Sequence, residues 1–391
     1  MPQAPTAQER MMKVHEVLMR AVNRELSWIQ AADILGCTPR SLRRWKLRYR
    51  QFGIGGLVDG RTRGHRSPRW VKPADLEPLL RLYRERYAGF NVRHFCAIAR
   101  REHGLAWSYS FVRQTLQRAG LVKKRRARGR HFLRRPPRAC FGEMLHLDGS
   151  HHAWLALQPE QRQCLIAVVD DATRRLLYAQ LSAGETTEAV LAALHAVFLD
   201  YGLPQTLYTD RAPWAACTRG ADGRPRLDRP TQVQRALERL GVEHILAYSP
   251  QARGRGERVN RTLQGRLVNE LRLAGIRTIE RANRYLAEHF LPHYNTELAR
   301  PPADPAVAFV TAGGAPLEQI LCHEESRQVG KDNTVVLQGV RLQIAKQPGR
   351  ATCAGVTVVV RRHLDGTHTV WRGPQCWGRY DARGRVVEKA A

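Results

Sequence analysis

The chain has 391 residues, enough for two to four domains. Its 64 Lys and Arg against 35 Asp and Glu give a net charge of +29, which points to a polyanionic partner, nucleic acid first. There is no run of 18 or more apolar residues, so no membrane-spanning helix is expected. The chain also lacks an export signal at its start, so it is expected in the bacterial cytoplasm at the nucleoid. Its 8 cysteines are scattered without a C-x-x-C pair, which argues against a disulfide framework and against a zinc finger.

In chain order, Trp28, Ile29, Ala32, Ile34 and Leu35 form a short apolar helical face that Gly36 breaks. Thr38 stands where an N-cap belongs, and Pro39 takes the first helical position. The next helix, Arg40 to Arg50, turns Leu42, Trp45 and Tyr49 to one side and Arg40, Arg43, Arg44 and Arg48 to the other; Leu47 falls among those arginines. A short helix, a glycine turn and a basic second helix predict a helix-turn-helix DNA-binding domain over 1–58, its second helix fitted to a major groove.

A second helix-turn-helix domain is expected over 72–122. Helices read at 75–87 and 92–103, the latter stopped by Gly104. A third, capped by Ser108 or Ser110, ends at Gly120. In it, Phe111, Val112 and Leu116 alternate with Arg113, Gln114, Gln117 and Arg118, repeating the reader-helix pattern. Lys123, Lys124, Arg125 and Arg126 then open a basic linker, 123–139, suited to DNA phosphates.

From 140 to 300 the pattern becomes α/β. Strands read at 143–148, 163–170, 175–181, 205–210 and 243–248, with helices at 186–201, 231–240, 254–274 and 278–296. Residues 301–330 read as a linker, and 331–391 as a small C-terminal β-barrel of runs split by Gly and Pro.

In so basic a chain the placement of acids is informative. Asp148 ends the first strand of the central region, Asp210 ends the fourth, and Glu257 opens the long helix, positions that can converge at one edge of an α/β sheet. Three converging carboxylates repel unless cations neutralise them, and hard oxygen ligands suit Mg²⁺ or Mn²⁺. Two such ions can activate an attacking oxygen and stabilise a leaving one, which is phosphodiester chemistry. Along the long helix, Val259, Leu263, Leu267 and Leu271 form a packing stripe, while Asn260, Arg261 and Gln264 share the face of Glu257. Asp170 and Asp171 read as strand-end turn residues, His151 and His152 as loop residues, and Trp154 and Trp214 as core.

These residues carry a family resemblance. SPQARGRGERVNRTLQGRLVNELR resembles the segment holding the final glutamate of the retroviral-integrase-like core of DDE transposases. LHLDGSHHAWL and LYTDRAPW resemble the segments of its two aspartates. RELSWIQAADILGCTPRSLRRWKLRYRQFGIGGLVDG and VVDDATRRLLYAQLSAGETTEA extend the match, and together they resemble bacterial insertion-sequence transposases of the ISNCY group over about residues 20–310. The resemblance implies an RNase H-like core with Asp148, Asp210 and Glu257 as catalytic and metal-binding triad. It also implies Mg²⁺, terminal inverted repeats and target DNA as substrates, and action as a homo-oligomer on DNA. In place of the Asn-Gly common after the second aspartate, this chain has Arg211-Ala212, and a Gly-, Arg- and Pro-rich insertion at 217–230 separates Asp210 from Glu257.

Two other readings compete. A non-catalytic DNA-binding regulator explains the charge and the helix-turn-helix units but has no use for three acids on a basic surface. A nuclease of RNase H type explains the acids but not two tandem reader helices.

Overall fold

The computed structural model describes residues 7–58, 71–124, 136–216, 230–247 and 256–387. The chain divides into two compact units, 1–81 and 82–391.

In the first unit, α1 (Ala7–Val22), α2 (Trp28–Ile34) and α3 (Pro39–Phe52) enclose a small core built on Leu18, Ala31 and Leu42. The sequence reading starts at α2; α1 is an addition to it. Ser27 caps α2 in a capping box with Gln30, and Thr38 accepts from Ser41 N at the start of α3, with Pro39 in the first turn. Gly36, at φ +60°, makes the turn between them in the left-handed region that side chains rarely adopt.

α4 (Pro73–Glu85) crosses the division between the units and leads to α5 (Val92–His103) and α6 (Tyr109–Arg118). Tyr87, Phe90, Phe95, Ile98, Val112 and Leu116 are buried among these helices. Ser108, not Ser110, caps α6 by accepting from Phe111 N.

The central region is one five-stranded sheet in the order β3-β2-β1-β4-β5: β1 (Met144–His152), β2 (Gln163–Asp170), β3 (Leu176–Ser182), β4 (Thr206–Thr209) and β5 (Glu243–Leu246). β1, β2 and β3 are antiparallel, whereas β4 and β5 run parallel to β1. β2 is buried along its whole length, as a strand covered on both faces must be. One face packs on α7 (Thr187–Tyr201) and α8 (Gln232–Arg239) through Leu145, Leu147 and Leu207. The other packs on α9 (Gly256–Leu273), α10 (Ile279–Tyr285) and α11 (Leu291–Leu298) through Leu165, Ala167 and Val169. The expected stripe on α9 holds: Leu263, Leu267 and Leu271 are fully buried and Val259 packs beside them. A π-helical turn at 286–290 joins α10 to α11.

Residues 301–330 are not a bare connector. Phe309, Leu317 and Leu321 pack on the central core, α12 (Leu317–Ile320) forms there, and β6 (His323–Gln328) pairs with β9 (Thr357–Arg362). Alternation of charged and polar residues in HEESRQ hides this strand from a hydrophobicity pattern. β10 (His368–Arg372) and β11 (Gln375–Tyr380) complete a four-stranded antiparallel sheet, order β11-β10-β9-β6. β7 (Thr334–Leu337) and β8 (Val340–Gln343) form a separate hairpin over the same core. Where the sequence suggested a small barrel, the described strands therefore pair as two antiparallel sheets.

α5 is locked to α9 by a buried polar network. His94 Nε2 lies 2.7 Å from Glu270 Oε1, and Tyr285 OH donates to Glu270 Oε2 at 2.9 Å. Burial alone would raise the Glu270 carboxyl, but the hydrogen bond and charge of His94, the hydrogen bond from Tyr285 and the charge of Arg101 hold it below the usual range. Arg272 donates to Ala88 O at 2.9 Å and Asn269 to Gly89 O at 3.4 Å, so the loop before α5 follows the same helix. Removing one partner of such a pair strands the other in the interior. Glu270→Ala is expected to lower unfolding stability by about 3–5 kcal/mol in urea denaturation, and His94→Leu combined with Glu270→Leu to recover much of the loss. A single-variant loss well under 1 kcal/mol would contradict this account of the pair.

Candidate active site

Asp148 stands in the middle of β1, not at its end as the sequence suggested, because pairing with β2 continues through His152↔Gln163. β1 pairs with β4 in the register Met144↔Thr206, Leu145↔Leu207, His146↔Tyr208. Asp148 lies two residues beyond the last of these pairs on β1, and Asp210 two residues beyond it on β4. Asp210 directly follows the last residue of β4, the strand that pairs with the first half of β1. Side chains alternate along a strand, so Asp148 and Ser150 share one face of β1 while Leu145 and Leu147 line the other. The Asp148 face is the one that α9 covers.

α9 carries the third acid, Glu257, and its start is tied to Asp148. Asn260 Nδ2 donates to Asp148 Oδ2 at 2.6 Å, and one turn on Gln264 Nε2 donates to Ser150 Oγ at 3.2 Å. A Cβ on Gly256 would lie 3.6 Å from Asp148 Oδ2, so the first turn of the helix sits directly against this carboxylate. Glu257 is in that turn and exposed, and Arg261, one turn on, is exposed as well. The positive end of the helix dipole favours negative charge at this point.

Asp210 is held locally. Its Oδ1 accepts from Ala212 N at 2.9 Å, a turn that Arg211-Ala212 makes without the Asn-Gly expected there. Behind it, Thr209 Oγ1 is 2.8 Å from His244 Nε2 on β5. Trp214, four residues past Asp210, donates from Nε1 to Glu185 Oε1 at 2.8 Å. Glu185 lies against the backbone of Gly149, where a Cβ would stand 2.4 Å from its Cδ, and 3.4 Å from His151. Sequence reasoning missed Glu185. Its signal is the glycine directly after Asp148 inside a strand, which marks the close approach of another group.

The other acids are structural. Asp170, fully buried, accepts from Gly142 N, Thr173 N and Thr173 Oγ1; burial pushes its carboxyl up against those hydrogen bonds. Asp171 accepts from Arg138 N and lies 2.8 Å from His146 Nε2. Trp154 is buried with Nε1 donating to Ser150 O.

Among the expected DNA-contacting residues, Arg40, Arg43 and Arg44 are exposed on α3. Arg113 and Arg118 are exposed on α6, followed by Lys123 and Lys124. Arg125 and Arg126 lie outside the described residues. Asn260 faces Asp148 rather than solvent, so the structure gives it a positioning contact.

A helix-turn-helix domain family model matches residues 16–65. Over 389 residues the chain is 30% identical to "Putative transposase y4bF" of Sinorhizobium fredii (strain NBRC 101917 / NGR234), covering 98% of this chain and 83% of that protein. The chain belongs to the transposases. It is also 30% identical over 291 residues to the transposase for insertion sequence IS1202 of Streptococcus pneumoniae, across 65% of this chain and 61% of that one. The HTLV-2 integrase catalytic core domain in complex with magnesium (trimeric form) matches 38% of this chain and 85% of its own, at 15% identity and a TM-score of 0.27. A simian T-cell lymphotropic virus intasome structure matches 68% of this chain and 85% of its own, at 15% identity and a TM-score of 0.32. No described helix of this transposase is long and apolar enough to cross a membrane.

The His244–Thr209 contact behind Asp210 gives a pH signature. Burial pulls His244 down to about 4, so it is neutral in the fold at neutral pH, with Nδ1 buried and without a partner. The unfolded chain takes up its proton near pH 6.5, the folded one only near 4. Stability from this group is therefore complete above pH 6.5 and falls as the pH drops toward 4, by up to about 3 kcal/mol. The urea midpoint of His244→Gln is expected to fall less than that of the parent chain over this window. Parallel profiles would contradict the burial of a neutral imidazole.

Proposed function

We propose that the chain is an active DNA transposase of the DDE type, of the ISNCY group, which binds the terminal inverted repeats of its insertion sequence. It cleaves at the element ends and transfers the freed strand into target DNA. What supports this reading is that the start of α9, which bears Glu257, lies against Asp148 and is hydrogen-bonded to it through Asn260, while Asp210 follows the strand that pairs with β1.

Three carboxylates supplying only hard oxygen donors fit Mg²⁺ or Mn²⁺, and two ions would be held by Asp148, Asp210 and Glu257. When bound, such ions polarise a phosphodiester and lower the cost of both the attacking and the leaving oxygen. The chain's own residues do the positioning. Asn260 fixes the Asp148 carboxylate and the turn to Ala212 fixes that of Asp210, while Glu257 and Arg261, both exposed, would be available to an entering phosphate. The helix-turn-helix regions at 1–58 and 72–122 would read the element end, with Arg40, Arg43, Arg44, Arg113 and Arg118 on their outer faces. Residues 123–139, Lys123 and Lys124 with Arg125 and Arg126, would neutralise phosphates between them and the core at 140–300. Pairing two element ends calls for a homo-oligomer on DNA.

Asp148→Asn, Asp210→Asn and Glu257→Gln should each lower strand transfer by on the order of a thousandfold or more, as expected for members of a set that acts together, while gel-shift affinity for the element end stays unchanged. Full activity in any of the three would remove that residue from the site. Affinity for the element end should fall by at least about a thousandfold between 50 and 200 mM salt, since six or more phosphate contacts release that many counterions. A flat salt titration would contradict phosphate-dominated binding.

A further inference from the structure

Two apolar side chains of α3 stand exposed outside its core, Leu47 and the terminal Phe52, and only Leu47 lies among the helix's arginines. Arg40, Arg43, Arg44, Leu47, Arg48 and Gln51 form its exposed stripe, while Leu42 is buried and Trp45 and Tyr49 pack on the core. Leu47 is 64% exposed in the middle of that stripe. Lys46, by contrast, is turned aside, its Nζ 5.3 Å from the centre of the Trp28 ring. An apolar side chain among four arginines helps neither solubility nor the fold.

Arg40, Arg43, Arg44 and Leu47 stand at i, i+3, i+4 and i+7. That is the set a helix lying in a major groove turns to the base edges. From Arg40 to Leu47 the helix rises about 10 Å, within a groove about 12 Å wide. Arginines there can fork onto guanine or reach phosphates, but Leu47 has nothing to donate or accept. The one apolar group that a base edge offers in the major groove is the C5-methyl of thymine. A second copy of the chain would bring the same arginines against themselves and is excluded as the occupant by charge.

We propose that Leu47 reads a thymine methyl in the element end and is a specificity-determining residue of the reader helix. The assignment rests on the DNA-reading function proposed above for this unit.

The test uses the full chain and a duplex of the terminal repeat flanking its coding sequence, in which each thymine is replaced singly by deoxyuridine. That change removes only the methyl group. At one position the substitution should weaken parent binding about fourfold, the worth of one methyl taken out of water. Leu47→Ala should bind the thymine and uracil duplexes equally at that position, and Leu47→Met should keep the discrimination. Because Leu47 is exposed, the thermal unfolding of both variants should match the parent. If uracil affects parent and Leu47→Ala alike at every position, or neither at any, the Leu47 assignment is overturned while DNA reading stands. If the parent does not distinguish the terminal repeat from a scrambled duplex, the helix-turn-helix reading fails and takes this assignment with it.

Discussion

Asn260 donates to Asp148 across 2.6 Å, and that bond sets the first turn of α9 against the middle of β1. An aspartate in the middle of a strand, between Leu145 and Leu147 on one face and a helix on the other, is costly without a donor, because a carboxylate taken from water must be hydrogen-bonded. The amide meets that need and fixes the helix start in the same contact. Gln264 to Ser150 repeats the arrangement one turn on, so α9 runs over β1 as a rail, its leucines buried beneath it. Glu257 owes its place to that rail.

The same helix carries a second load. At its far end Glu270 is held by His94 and Tyr285, which ties α5 to the helix that bears Glu257. α5 and Asp148 are therefore both tied to one helix, α9. Glu185 plays a comparable part on the other face of β1, where room left by Gly149 lets it hold Trp214 and steady the turn after Asp210.

Much of this is legible in the sequence where periodicity or capping is strong. α2, Thr38 and Pro39, β2 and the stripe on α9 follow from spacing alone, since each depends on local rules. The three acids stand out because acids are scarce in so basic a chain. What the sequence hides depends on partners distant along the chain. Whether Asp148 ends its strand is decided by pairing with β2, and whether 323–328 is a strand is decided by β9, not by its own charged residues. The role of Asn260 needs the position of Asp148, 112 residues away, and that of Glu270 needs His94, 176 residues away. Arg211-Ala212 in place of Asn-Gly looks disruptive in sequence, yet the backbone N–H of Ala212 makes the turn to Asp210 unaided.

The central claim is that Asp148, Asp210 and Glu257 form one cation-binding site. Crystals of the full chain soaked in Mn²⁺ test it most directly through the anomalous difference map. The account predicts Mn²⁺ peaks bounded by these three carboxylates, lost in Asp148→Asn. Saturating Mn²⁺ with no peak there, or a peak that survives the substitution, would contradict it.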